Sequence, residues 1–131
     1  MNPTNDPELT TIQTLAGKRE PRHYKAGEII FRDGDIGATF YGVVRGQVQL
    51  SWGSDRTEMI KAGSSFGAGA LADPAHRRFG TATALTDTDL LEMNREEFLF
   101  AMQELPMFGL EMLHDLELRL QALKLGSSHP A

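Results

Sequence analysis

The 131-residue chain carries 40 % hydrophobic and 24 % charged residues, which is typical of one globular domain that folds without disulfides or structural metals. It contains no cysteine, which excludes catalytic thiols, and its formal net charge of −5 disfavours a nucleic-acid partner. No apolar run approaches the ~20 residues that span a bilayer, and the polar start lacks the apolar region of a signal peptide. We therefore expect a cytoplasmic protein that binds neither nucleic acid nor membranes.

The first predicted element is a short helix over residues 7–16. Leu9, Ile12 and Leu15 recur at the spacing of one helix face, and Asp6 stands where an N-cap residue belongs. A short amphipathic helix is therefore expected before the glycine-rich middle of the chain.

The glycine spacing then predicts many short strands. Ten of the thirteen glycines lie between residues 27 and 80 and interrupt short apolar stretches, as in antiparallel strands joined by tight turns. The predicted strands cover residues 28–31, 40–44, 47–50, 58–60, 81–85 and 89–93. Residues 45–46 and 53–55 are predicted hairpin turns, and residues 86–88 separate the last pair of strands. The middle of the chain is therefore predicted to be an antiparallel barrel or sandwich.

Two predicted helices close the sequence. Asn94 suits the N-cap of a helix over residues 95–104, and a second helix runs from Pro106 to about Lys124 and ends before Gly126. Residues of the second helix recur at alternating four- and three-residue steps and form a heptad seam: Gly109, Leu113, Leu116, Leu120 and Leu123. Residues 126–131 are expected to form a flexible tail.

Four sequence blocks stand in an order that is typical of one protein family. They are Tyr24-x-x-Gly27-Glu28-Ile29-Ile30-Phe31-x-x-Gly34-Asp35, Tyr41-x-x-x-x-Gly46-x-Val48, Phe66-Gly67-x-Gly69-Ala70-Leu71 and Arg78-x-x-Thr81-x-x-Ala84. With these blocks, residues 22–120 resemble the cyclic nucleotide-binding domain of the cyclic-AMP receptor protein superfamily. The resemblance implies a mainly β fold, a double-stranded β-helix (a jelly-roll-like antiparallel β-roll) with a short N-terminal helix and two C-terminal helices. It implies one domain over residues 1–125, with the β-roll over about 20–94 and the C-terminal helices over about 95–125.

The chemistry of that family lies in a phosphate-binding cassette. On physical grounds alone, residues 67–72 can form one small helical turn whose free N–H groups point at an anion. The resemblance implies that a cyclic nucleotide such as cyclic AMP binds at Phe66, Gly67, Ala68, Gly69, Ala70 and Leu71. An arginine completes the charge, and the family pattern places it at Arg78, six residues before Ala84. Arg77 is the alternative, because a one-residue change in loop length exchanges the two faces of a strand.

Two positions depart from the family pattern. Ala68 stands where cyclic nucleotide binders usually carry a glutamate that accepts a hydrogen bond from the ribose 2′-hydroxyl, and Asp73 lies at the far end of the cassette. Phe79 stands where the family prefers a small residue near a phosphate oxygen, so its ring is expected either to fill part of the nucleotide pocket or to face the core. Losing one charge-assisted hydrogen bond costs about 1.5–3 kcal/mol, about one or two decades in affinity. We therefore expect a weakened site or a changed small anionic ligand.

The long last helix is the dimer element of the family. Its seam would leave several leucines exposed on a monomer, so we expect a homodimer that pairs along the seam, with Gly109 allowing the helices to approach. Relatives that regulate transcription carry a DNA-reading module after this helix, and residues 126–131 are too few to form one. We therefore expect no contact with DNA.

An enzymatic function is not expected. The histidines at positions 23, 76, 114 and 129 lack the spacing of a metal site, and no nucleophile elbow, P-loop or paired-carboxylate motif is present. His23 and His76 are predicted surface residues, and we expect no metal and no cofactor other than the ligand.

Two functions are left. One is a ligand sensor whose last two helices close over the anion and signal to an unidentified partner protein. The other is a degenerate module that dimerises or scaffolds a partner without binding nucleotides.

Overall fold

The computed structural model describes residues 10–126 of the chain. The strands of this segment are β1 (Arg22–Tyr24), β2 (Ile29–Phe31), β3 (Phe40–Arg45), β4 (Gln47–Trp52), β5 (Arg56–Lys61), β6 (Ser65–Phe66), β7 (Thr81–Ala84) and β8 (Thr88–Met93). Its helices are α1 (Thr11–Ala16), α2 (Gly69–Ala72), α3 (Arg95–Glu104) and α4 (Met107–Gly126).

The strands form two four-stranded antiparallel sheets. One sheet has the order β1-β8-β3-β6 and the other has the order β2-β7-β4-β5. Strands that are consecutive in the chain repeatedly change sheet, so the two sheets form a β-roll around one interior. The predicted mainly β fold, with one helix before the roll and two after it, is confirmed.

The strand pairing differs from the predicted hairpins at two places. β7 and β8 belong to different sheets, so residues 86–88 cross between the sheets. Residues 45–46 likewise join β3 to β4 across the sheets, whereas residues 53–55 form a true hairpin between β4 and β5. The sequence pattern also missed β1 and β6, which have three and two residues and are too short to show an alternation.

Gly46 allows the two crossings to pack against each other. Its φ of +95° lies in the left-handed region, and a Cβ at this position would overlap with the carbonyl oxygen of Asp87 and with Thr88. Thr88 is fully buried, and its hydroxyl donates to the carbonyl oxygen of Gln47 at 3.2 Å. The close approach of the crossings therefore requires glycine at position 46.

The start of α1 differs from the predicted helix over residues 7–16. Thr10 has extended backbone angles and forms a capping box with Gln13, so the helix begins at Thr11. Asp6, the predicted cap, lies outside the described residues. The local capping chemistry of threonine and glutamine therefore sets this boundary.

The C-terminal helices follow the prediction more closely. Asn94 caps α3 as predicted, through a capping box with Glu97. α4 begins at Met107 and continues through Gly126, so the predicted tail is wrong at Gly126, and residues 127–131 lie outside the described part. No helix between residues 10 and 126 has the length and apolar character needed to cross a membrane.

Two apolar clusters hold these elements together. The roll cluster fills the space between the sheets and consists of Tyr24, Tyr41, Val43, Val48, Ile60, Phe66, Ala82, Ala84 and Leu90. The helix cluster lies where the helices cover the roll and consists of Ile12, Leu15, Phe40, Leu91, Met93, Ala101 and Phe108. In the helix cluster the ring centroids of Phe40 on β3 and Phe108 on α4 are 6.1 Å apart. The first turn of α4 is therefore part of the core.

Gly46→Ala is expected to lower the free energy of unfolding by about 2 kcal/mol or more, because backbone strain and steric overlap act together. Gly53→Ala is the matched control, since φ is +66° there but the nearest atom to an added Cβ is Arg56 Cγ at 3.9 Å. Gly53→Ala should lower the free energy of unfolding by only about 1 kcal/mol, because it adds backbone strain without steric overlap. Urea denaturation measures both variants, and equal losses would contradict the close crossing at Gly46.

Candidate functional site

The candidate site begins where β6 ends. Gly67 follows this strand with a φ of +84°, and a Cβ at this position would lie 3.2 Å from the carbonyl oxygen of Thr39. Ala68 then precedes the single turn of α2. Ala70 and Leu71 donate their N–H groups to the carbonyl oxygens of Gly67 and Ala68. The amides of residues 67–69, at the start of the turn, are therefore the ones left for an outside acceptor.

Arg78 places a buried cation beside this turn. The residue is only 4 % exposed, and its guanidinium carbon lies 4.3 Å from the centroid of the Phe31 ring. Nη2 donates to the carbonyl oxygen of Thr39 at 2.8 Å. A Cβ at Gly67 would lie 3.1 Å from Nη1, and a Cβ at Gly37 would overlap with the guanidinium. The two glycines therefore leave the space that the guanidinium occupies.

The Arg78 guanidinium lacks an anionic partner. Within residues 10–126, Nε and Nη1 donate to no acceptor, and no ion pair includes Arg78. Burial lowers the pKa of Arg78, while the nearby Tyr41 and Asp35 act to raise it. Arginine nevertheless stays charged in proteins, and a buried charge without a partner is costly. An anionic ligand would remove that cost.

The two neighbours of Arg78 point away from the cassette. Arg77 is exposed and donates from Nη1 to the carbonyl oxygen of Gly34 at 3.1 Å. Phe79 is 76 % exposed, and its ring centroid lies 6.4 Å from that of Trp52. An isolated β-bridge at Arg77 keeps this segment extended, so successive side chains face opposite sides. The structure therefore places Arg78 rather than Arg77 beside the cassette, and Phe79 neither fills the site nor faces the core, in contrast to both predicted positions.

The other cassette residues connect the site to both clusters. The ring of Phe66 is buried in the roll cluster and stacks on Tyr41, with ring centroids 4.9 Å apart. Ala68 and Leu71 pack against the helix cluster. A displacement of the cassette would therefore change the packing of α3 and α4.

His76 lies against the cassette rather than on the open surface that the sequence predicts for it. Its half-buried ring is so close to Gly69 that Nδ1 and Nε2 lie 2.9 and 3.0 Å from the position of a Cβ there. The two-residue spacing between His76 and Arg78 could have predicted this position, because residues 76 and 78 lie on one face of an extended segment. That signal becomes visible only once Arg78 is known to face the site.

Arg119 ties α4 to the strand that leads into the cassette. Its Nε pairs with Glu58 Oε2 of β5 at 2.9 Å, and its Nη1 donates to the carbonyl oxygen of Ser65 at 2.5 Å. Asp115, one turn earlier on α4, accepts a hydrogen bond from the Ser64 hydroxyl at 2.5 Å. The sequence analysis missed this network, because residues far apart in the chain meet only in the folded protein.

The predicted seam of α4 is partly exposed. Leu113 and Leu120 are 61 % and 47 % exposed, whereas Leu116 and Leu123 are half-buried. Gly109 is buried, and a Cβ there would overlap with the Met102 side chain of α3. Gly109 therefore serves the packing of α4 on α3, which corrects its predicted role in the approach of two copies.

Comparison with known families and curated proteins gives one consistent result. The model of the cyclic nucleotide-binding domain matches residues 21–104. The chain is 36 % identical over 91 residues to the cyclic AMP receptor protein of Thermus thermophilus. This match covers 66 % of the chain and 42 % of that protein, so the chain spans about two fifths of the length of this relative.

Solved structures share the fold. The crystal structure of the Thermus thermophilus catabolite activator protein has a TM-score of 0.70 at 30 % identity and covers 90 % of this chain and 57 % of its own. A structure from work on a cyclic-GMP-dependent signalling pathway that regulates bacterial phytopathogenesis has a TM-score of 0.69 at 27 % identity. That match covers 87 % of this chain and 96 % of the other. The likeness therefore extends over most of the chain.

Arg78→Met is expected to leave the free energy of unfolding of the ligand-free protein unchanged or higher, because it removes a buried charge that has no anion beside it. Arg119→Met is the matched control, since it removes an arginine that is paired with Glu58. The control should lower the free energy of unfolding by about 1–3 kcal/mol. Urea denaturation compares the variants, and a loss above about 2 kcal/mol in Arg78→Met would show that Arg78 is retained for stability.

Proposed function

Because the chain belongs to the cyclic nucleotide-binding domain family, we propose that it is a regulatory domain that binds a small anionic ligand of the cyclic nucleotide class in the cassette of residues 66–71. The observation that carries this proposal is the buried guanidinium of Arg78, which lies beside Gly67 with two unpartnered nitrogens. A cyclic phosphate would supply the anion that this cation lacks.

The donors at the site suit a phosphate group. Nε and Nη1 of Arg78 are unpartnered, and a hydrogen bond from a charged donor to a phosphate oxygen is about twice as strong as one between neutral groups. Gly67 has no side chain to keep the anion away from the adjacent amides. The site therefore combines a fixed charge with main-chain donors.

The affinity is expected to be lower than in family members that carry a glutamate in the cassette. Ala68 has no acceptor for a ribose hydroxyl, and it packs against the helix cluster. Asp73 does not replace the glutamate, because its Oδ1 accepts the N–H of Ala75 at 3.0 Å. Binding therefore depends mainly on the phosphate.

The proposed output is a change in the position of α3 and α4. Ala68 and Leu71 pack against the cluster that these helices share, and Arg119 holds α4 on Ser65, next to the cassette. An open surface groove of about 300 Å³ separates α2 from the start of α3, so few contacts at that surface would oppose a shift of α2. Ligand binding would move the helices, and a partner protein would respond to their position.

The same proposal covers the organisation of the chain. We propose one regulatory domain over residues 1–125, without catalytic activity or metal, since the relatives named above are a receptor and an activator. Its net charge of −5 favours partners other than nucleic acid. We also propose that the protein is cytoplasmic and does not contact membranes.

A second candidate function rests on α4. Leu113 and Leu120 are exposed and lie one heptad apart, with the half-buried Leu116 and Leu123 on the same stripe. Proteins seldom leave such a stripe bare, and a two-fold axis between two copies would cover it. We propose a homodimer built on this stripe. A protein that only dimerised in this way would act as a scaffold for a partner.

Leu113→Glu combined with Leu120→Glu is expected to give a folded monomer, because the charges would repel across the two-fold axis. Met107→Glu combined with Leu118→Glu is the matched control, since both residues are exposed on another side of α4. The control should stay dimeric. Light scattering measures the mass of each protein in solution. The protein concentration should be about tens of micromolar, so that a weak dimer is still populated. A wild-type monomer would contradict the proposed dimer.

Arg78→Gln is expected to weaken cyclic nucleotide binding at least about tenfold, because it removes the charge that meets the phosphate. Calorimetric titration of the wild type with cyclic AMP and with cyclic GMP provides the reference, and at least one of them should bind. Arg77→Gln, the matched control, should bind within about twofold of the wild type because Arg77 is exposed and faces away.

Equal affinities of the wild type and Arg78→Gln would place the ligand elsewhere on the protein. If the wild type binds neither nucleotide and is dimeric, the scaffold function replaces the sensor function. Thermal unfolding of each variant checks that a lost affinity is not a lost fold.

A further inference from the structure

The segment that carries Arg78 presents a second side chain to the cassette. His76 stands two residues earlier in the same extended segment, and Arg77 between them is exposed. Arg78 lies beside Gly67, whereas the ring of His76 lies beside Gly69. The two side chains therefore flank the short turn over residues 67–69 from both ends.

The main chain holds the imidazole in this place. The His76 N–H donates to the carbonyl oxygen of Asp73 at 3.0 Å, and the His76 carbonyl oxygen accepts the N–H of Gly37 at 3.3 Å. Cε1 lies only 2.5 Å from the position of a Cβ at Gly69, so a larger residue there would displace the ring. Within residues 10–126 neither ring nitrogen has a hydrogen-bond partner. The half-buried imidazole is therefore positioned at the cassette with both nitrogens available.

We propose that His76 is a second ligand-binding side chain of this site, which donates from its ring to the bound anion and strengthens binding when the ring is protonated. This inference rests on the proposed function, because the anion is the ligand of the cassette. Histidine is the side chain that ordinarily changes charge between about pH 5 and pH 8. A cyclic phosphodiester keeps one negative charge throughout that range, so a pH-dependent affinity reports on the protein.

The charges around His76 set the sign of the effect. α2 carries no ionisable side chain. Asp73 and Arg78 lie on the same loop as His76, with Arg77 turned outwards, and Asp35 lies on the segment packed against that loop. A protonated imidazole would place a second positive charge beside the bound anion, next to that of Arg78, and the two opposite charges would attract each other. Protonation and anion binding therefore favour each other, and affinity rises as pH falls.

Calorimetric titration with cyclic AMP and cyclic GMP at about pH 8 and about pH 6, at constant ionic strength, tests the inference. The wild type is expected to bind about fivefold more tightly at the lower pH. This is the change in affinity expected when one additional unit charge lies about 4 Å from the anion in water. His76→Gln is expected to bind equally at both pH values. His76→Lys, which stays charged, is expected to bind equally at both and more tightly than His76→Gln. His23→Gln is the matched control, since His23 pairs with Asp89, and it should keep the wild-type dependence.

Two results would overturn the inference and leave the proposed function intact. One is wild-type binding with the same affinity at both pH values, and the other is a pH dependence that persists in His76→Gln. A wild-type protein that binds neither nucleotide at either pH would overturn the proposed function, and the inference with it. Thermal unfolding at both pH values shows whether each variant is folded when it is titrated.

Discussion

A guanidinium that is buried without an anion is the constraint on which the rest of this structure depends. Removing a charge from water is costly, and Arg78 recovers part of that cost through the Phe31 ring and one carbonyl oxygen. The glycines at positions 37 and 67 are required for the same reason, because a Cβ at either would crowd the guanidinium. Residues on three separate segments are thus arranged around a buried charge that has no anion beside it. Such an arrangement is understandable when the partner of the charge comes from outside the chain.

The cassette lies between the two apolar clusters, so an anion bound there would act on the packing of both. Phe66 belongs to the roll cluster, whereas Leu71, five residues later, packs against the helix cluster. The main chain passes from one cluster to the other through Gly67, directly beside Arg78. An anion that draws the turn towards Arg78 would therefore pull on the packing of α3 and α4. Arg119 connects α4 to the strand that enters the cassette, so a displacement of that strand would also act on α4.

The sequence predicted the parts of the fold that depend on local chemistry. The glycine spacing indicated most of the strands, and Asn94 indicated the start of α3. The family pattern favoured Arg78 over Arg77 as the arginine beside the cassette, and the structure buries Arg78 there. It failed where distant segments meet. Residues 45–46 were predicted as a hairpin turn and residues 86–88 as the link within a strand pair, but both connect strands of different sheets, because a turn sequence does not determine which sheet the next strand joins. Gly109 fitted a heptad seam, yet its packing partner lies on α3, and only the folded structure shows that contact.

The chemistry of the site also bears on which ligands it can distinguish. Arg78 and the amides at the start of the turn are donors, and Ala68 places no acceptor on the cassette. A site built from donors recognises the negative charge and the oxygen atoms of a phosphate, but it gains nothing from a sugar hydroxyl that needs an acceptor. On the proposed function, discrimination among cyclic phosphates would come from groups that contact the base, and α3 and α4, which share the helix cluster with the cassette, are the candidate elements. The cassette alone would bind the phosphate of any cyclic nucleotide. Selectivity between nucleotides and signal output would therefore depend on the same two helices.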